Sequence, residues 1–178
     1  MLRTCLRAGL LLLAAACLGL SAAAYAGLVR PEFAPRRFGE VAAGKVYRCG
    51  RLSPGALTRL HERYHFRTIV DFGAWEPGSA EELREQRTAD ALGITRHVWR
   101  LEGDSRGDPN AYVQALRLMR DPMAQPVLVH CSAGSERTGC AVMLYRHFDE
   151  GVSVEDAYLE AQRYDHDPAR NPFLMETF

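Results

Sequence analysis

Short apolar runs alternate with longer amphipathic ones along most of the chain. KVYRC (45–49), RTIVDF (67–72), ITRHVWRL (94–101) and PVLVH (126–130) are apolar or β-branched and read as strands. PVLVH has no polar alternation, which predicts a central strand buried on both faces. Between the strands lie segments with helix start and stop signals. Ser53 and Pro54 head a helix to about Tyr64. Ser79 caps a second, acidic in its first turn and stopped by Gly93. Asp108-Pro109 opens a third, to about Met119. A fourth runs from about Arg137 to Glu150 and ends at Gly151. Ser153, with Asp156 in the capping-box position, opens a fifth, to about Arg163. Strands separated by helices predict an α/β fold with a mostly parallel central sheet of four to five strands flanked by helices. Ligands bind such sheets beyond the carboxyl ends of the strands, and Cys131 sits at one of those ends.

The first thirty residues follow another pattern. Arg3 and Arg7 precede an uncharged, Leu- and Ala-rich run over 8–29, and Arg30 ends it. A bilayer needs roughly 20 apolar residues, so 1–29 reads as a transmembrane anchor. Its basic start and Ala24-Tyr25-Ala26 also suit a cleaved secretory signal, and Cys17 could carry a lipid. The corresponding locations are a single-pass membrane protein, on either side, or a secreted or periplasmic one. PEFAPRRF (31–38) is proline-broken and basic and, with Arg30, reads as a linker (30–38), leaving 39–178 as the folded domain.

Composition narrows the chemistry. The 178 residues carry 22 basic and 22 acidic side chains. That balance gives no global attraction to nucleic acid, so an anion site must be built locally. Cys49, Cys131 and Cys140 outside the leader form no disulfide framework, and no Cys-x-x-Cys or His/Cys cluster suggests a metal.

The segment HCSAGSERTG (130–139) supplies a local anion site. A strand ends at His130, seven residues form a loop, and a helix follows. Amides of Ser132, Ala133, Gly134, Ser135 and Glu136 can turn inward around an anion, helped by the positive end of the helix. Gly134 permits a turn that a Cβ would block. The same field favours a thiolate at Cys131. Arg137 offers a planar fork that matches two phosphate oxygens. Thr138 can place a hydroxyl near the sulfur. His130 reads as a buried donor that holds the loop shape. Glu136 points to solvent or to an attacking water.

This segment resembles the His-Cys-x-x-Gly-x-x-Arg-Thr/Ser signature of the cysteine-based tyrosine and dual-specificity phosphatases. VYRCGRLSP, RTIVDFG and ALGITRHVWRL are similar to segments of bacterial members, including some with an N-terminal membrane segment. The resemblance implies a cysteinyl-phosphate intermediate, an aspartic general acid on a separate loop, and no metal or other cofactor. LEGDSRGDPN offers Asp104 and Asp108 for the acid. Asp108 is accounted for as a helix cap, so Asp104 is favoured; Glu102 is a more distant candidate, and Asp71 reads as a loop-fixing residue. The expected substrate is a phosphorylated protein or a small phosphomonoester. Phosphotyrosine comes first, dual specificity second and phosphoinositides third, because no lysine in the loop favours inositol polyphosphates. A rhodanese-like sulfurtransferase and an inactive phosphate-binding module are the competing readings. Cys49 is either a buried structural thiol or a redox partner for Cys131. Trp75 and Trp99 read as packing residues, with Trp75 able to line the site.

Overall fold

Four residues of each apolar run are enough to build this sheet. The computed structural model describes residues 15–21 and 35–177. Its strands are β1 (Gly39–Ala42), β2 (Val46–Cys49), β3 (Thr68–Asp71), β4 (Thr95–Val98) and β5 (Val127–His130), in the spatial order β1-β2-β5-β3-β4. All neighbours are parallel except β1 and β2, which pair antiparallel. The helices are α1 (Pro54–Tyr64), α2 (Ala80–Ala91), α3 (Pro109–Arg120), α4 (Glu136–Glu150), α5 (Val154–Arg163) and α6 (Leu174–Thr177).

The period-two alternation of the strands sorts side chains into two cores. Tyr47, Ile69 and Leu128 pack with Phe66, with Ala56 and Leu57 of α1 and with Ala89 of α2. Val46, Val70, Val127 and Val129 pack with Met119 of α3, Val142 of α4 and Ala161 of α5. β5 lies between β2 and β3, so it is buried on both faces, as its unbroken apolar sequence predicts. Register then decides what meets at the carboxyl end. His130 lies opposite Cys49 on one side and Asp71 on the other.

Three features depart from the sequence pattern. β1 is short, and Val41 is its one buried side chain, so its apolar signal is weak; Gly44, at φ 68°, closes the hairpin to β2. ITRHVWRL contributes only Thr95–Val98, because β4 is an edge strand whose ladder ends where β3 ends. Residues 35–38 of the expected linker pack on the domain: the Phe38 ring stacks on Tyr47, and Gly50 N–H donates to the Arg36 carbonyl at 2.7 Å.

The expected anchor or signal over 1–29, and residues 30–34, lie outside the described residues except for 15–21, which are helical and exposed. No helix among the described residues is long and apolar enough to cross a membrane.

Ile69 is completely buried in β3, between β5 and β4. Ile69→Ala is expected to lower the unfolding free energy by about 2–5 kcal/mol, measured by urea denaturation of the domain.

Candidate active site

The loop between β5 and α4 is shaped by what holds its carbonyls. Ser132 O accepts from the Arg51 amide at 3.2 Å, Ala133 O from Arg37 Nη1 at 2.6 Å, and Gly134 O from Arg48 Nη2 at 2.7 Å. A trans peptide is planar, so its N–H points opposite to its C=O. Holding three successive carbonyls outward therefore turns the amides of Ala133, Gly134 and Ser135 inward. The Gly134 amide shows the result: it donates to Cys131 Sγ at 3.2 Å. Two glycines make the arrangement possible. Gly134 has φ 78°, and a Cβ there would lie 2.5 Å from Gly50 N; a Cβ on Gly50 would lie 2.8 Å from Ala133 O.

Helix α4 begins at Glu136, one residue before the sequence estimate. Ser53, Ser79, Asp108 and Ser153 cap α1, α2, α3 and α5 with their side chains, whereas Ser135 makes no such bond at α4. The first-turn amides of α4 thus have no competing side-chain acceptor from the cap. Arg137 is anchored at one end: Nη1 donates to Phe72 O at 2.7 Å and Gly73 O at 2.8 Å, and approaches Leu101 O at 3.4 Å. Its Nε is buried without a protein partner among the described residues, and so is Thr138 Oγ1. Cys131 is 1% exposed.

The loop opens into a cleft of about 910 Å³. Ser132 and Arg137 belong to its floor. Arg36, Arg51 and Arg100 add basic groups, and Glu76 and Glu81 line the wall with Trp75. The Arg51 guanidinium lies 4.9 Å from the Trp75 ring, and Trp75 Nε1–H donates to Glu85. Trp75 is therefore part of the cleft, while Trp99 stacks on His97 and packs against the core.

Behind the loop lies a buried set of charges. His130 Nε2 is 3.0 Å from Glu85 Oε1, and Arg96 reaches Asp71 Oδ2 at 2.5 Å and Glu85 Oε1 at 3.5 Å. Asp71 Oδ1 accepts from the Ala74 amide at 2.7 Å, which fixes the turn whose carbonyls hold Arg137. Burial alone would push the His130 imidazole down, but Glu85 and Asp71 outweigh it and raise it to about 9. Burial likewise opposes ionisation of Glu85, yet His130 and Arg96 hold its carboxyl below the usual range. His130 thus supports the loop through Glu85 of α2 rather than by a bond to the loop itself. One ligand atom from each of Asp71, Glu85 and His130 lies within 4.8 Å of the others. Arg96 already occupies the two carboxylates, so the set does not fit a divalent ion.

Other expected residues fall elsewhere. Asp108 caps α3, its carboxylate accepting from the Asn110 amide at 2.9 Å. Asp104 does not line the cleft. Arg106 binds it at 2.8 Å through Nε, and this bond chiefly holds its carboxyl below the usual range; its side chain is 24% exposed. Glu136 turns one carboxylate oxygen to His166, whose Nδ1 sits 2.7 Å from its Oε2. Cys49 is buried as a free thiol, and burial pushes it well up; burial also pushes Cys140 up to about 12. Arg36, Arg37, Arg48 and Glu85 escaped the sequence reading. Each is distant from the loop in sequence, and only the two arginines in PRRF lay in a segment with a noted basic character.

Comparison with known proteins agrees with this geometry. The tyrosine phosphatase family profile matches residues 33–174. The core catalytic domain of the PP-IP phosphatase SIW14 from S. cerevisiae aligns with a TM-score of 0.66 at 23% identity, over 81% of this chain and 87% of that one. TpbA from P. aeruginosa aligns at 0.60 and 21% identity, over 76% and 79%. PTPMT1 aligns at 0.60 and 16% identity, over 79% and 92%. These likenesses show the shared fold.

The His130–Glu85 pair has a pH signature. The folded value of about 9 lies above the ordinary 6.5, so the pair's contribution to stability is full below about pH 6.5 and is lost as pH rises through about 9. Urea midpoints measured from pH 6 to 10 are expected to fall over that window. Glu85→Gln should be less stable at pH 6.5 and should lack most of that fall.

Proposed function

The chain belongs to the tyrosine phosphatase family, and from that premise we propose that it hydrolyses phosphotyrosine esters through a cysteinyl phosphate on Cys131. The observation that carries the reading is the cup itself: inward amides around one sulfur, closed by an arginine whose Nε has no hydrogen-bond partner among the described residues. Sγ attacks phosphorus as the ester oxygen leaves. Arg137 and the amides of Ala133 and Ser135 bind the equatorial oxygens, where charge is spread in the transition state. Asp104 gives the leaving oxygen a proton, and Thr138 donates to the departing sulfur when water hydrolyses the intermediate. For this role Asp104 must leave Arg106 and cross Leu101, whose carbonyl already approaches Arg137. Gly103 and Gly107 flank it and give the loop the freedom to do so.

A second substrate class is supported by the cleft. Arg36 and Arg51 make no ion pair among the described residues, and Arg100 pairs with Glu82. The loop lacks lysine, but these arginines reach the cleft from other segments and suit a substrate with more than one phosphate. SIW14, a structural neighbour, is a PP-IP phosphatase. A membrane location through residues 8–29 belongs to the same proposal and is checked by fractionation of the full chain.

Cys131→Ser is expected to lose turnover by on the order of a thousandfold or more while still binding vanadate; retained turnover removes the assignment. Asp104→Asn should lower kcat by about 10²–10⁴-fold on alkyl or phenyl phosphates and far less on p-nitrophenyl phosphate. Glu76→Gln, which alters an acid of the cleft wall, is the comparison. A panel of phosphotyrosine peptide, phosphoserine peptide, phosphoinositide and inositol pyrophosphate should show the highest kcat/KM for the phosphotyrosine peptide. A preference for inositol pyrophosphate would establish the second class instead.

A further inference from the structure

Three consecutive residues just beyond α5 stand behind the phosphate loop, and each reaches it through a different go-between. The Tyr164 ring lies 3.8 Å from the Arg48 guanidinium, which holds Gly134 O. Asp165 Oδ2 accepts from Arg37 Nε at 2.8 Å, and Arg37 Nη1 holds Ala133 O. His166 Nδ1 is 2.7 Å from Glu136 Oε2, and its Nε2 is 3.2 Å from Tyr158 Oη. We propose that the turn Tyr164–Asp165–His166 is a positioning element for the reaction, with Tyr164 and Asp165 acting through Arg48 and Arg37 to keep the loop amides aimed at the phosphoryl oxygens. The proposal rests on the phosphatase reading above and adds residues outside the signature.

The physical case lies in what these contacts replace. Arg48 is fully buried, and its Nε and Nη1 have no hydrogen-bond partner among the described residues. Burial pushes its guanidinium down to about 10. No carboxylate among the described residues bonds it, so the face of Tyr164 and the Gly134 carbonyl are what orient it. A buried cation with one carbonyl to serve is placed to set a peptide plane. Gly39 fits the same role, since a Cβ there would lie 2.1 Å from Tyr164 Oη, leaving the ring no room to tilt. Asp165 adopts φ 62°, a left-handed conformation that non-glycine residues seldom take. Its carboxylate is directed onto Arg37 although the side chain is 70% exposed. Exposed ion pairs contribute little to stability, so global stability does not account for this geometry. Holding one guanidinium across Ala133 O does.

The test uses the full chain, p-nitrophenyl phosphate turnover, vanadate affinity and thermal midpoints. Asp165→Ala and Arg37→Ala are each expected to lower kcat by about tenfold and to weaken vanadate by a similar factor, with the thermal midpoint of Asp165→Ala close to that of the parent. The double variant should be no worse than Arg37→Ala, because the two act in series. Tyr164→Phe keeps the ring over Arg48 and should stay within threefold of the parent, whereas Tyr164→Leu should lose at least tenfold. Folded Asp165→Ala and Tyr164→Leu proteins within twofold of the parent would overturn the proposal, as would losses that multiply in the double variant. If the parent itself turned nothing over, the phosphatase reading would fall. Vanadate binding by the same variants, followed by calorimetry, would still decide whether the turn positions the amides.

Discussion

Everything at this site depends on the direction of three peptide planes. An anion cup made of amides needs its carbonyls turned away, and a carbonyl turned into a protein interior needs a donor. Here the donors are the Arg51 amide and the guanidinium groups of Arg37 and Arg48. The loop is therefore shaped from outside, by groups that meet its carbonyls rather than its amides. Two glycines let the backbones of 49–50 and 133–134 approach closely enough for this to work.

A second layer ties the cup to the cleft wall. Asp71, Glu85, Arg96 and protonated His130 balance two negative charges with two positive ones in a region closed to water. Isolated, each charge would be expensive to bury; together they satisfy one another. The network also has reach. Glu85 receives the Trp75 indole from the cleft, and Asp71 fixes the turn whose carbonyls grip Arg137. The strand that ends at Cys131 and the wall of the cleft are thus held by one set of charges.

The cleft extends this logic to specificity. In the proposed reaction a loop of small and polar residues would bind one phosphoryl group, and it says little about what is attached to it. Arg36, Arg51, Arg100 and Trp75 come from other segments and line the cleft above it. Asp104, the acid of the proposed reaction, stands apart from both layers, since Arg106 holds it outside the cleft.

The strand that carries Cys131, the α/β alternation and the Cys131–Arg137 spacing were legible along the chain, because apolar run length, caps and one contiguous loop are local properties. Asp108 as a cap and Asp71 as a turn-fixing residue were legible for the same reason. The β1 hairpin was not, since four residues with one buried side chain carry little periodic signal. Nor could local pattern show that Arg37, Arg48, Glu85 and Asp165 converge on residues 130–136, or that Glu136 turns to His166. Those pairings are set by sheet register and by the packing of α2 and α5, which bring together residues separated by dozens of positions. The chain by itself determined which atoms can do the chemistry; tertiary structure decided which way the surrounding amides and charges point, because orientation is a property of contacts between segments and not of any one of them.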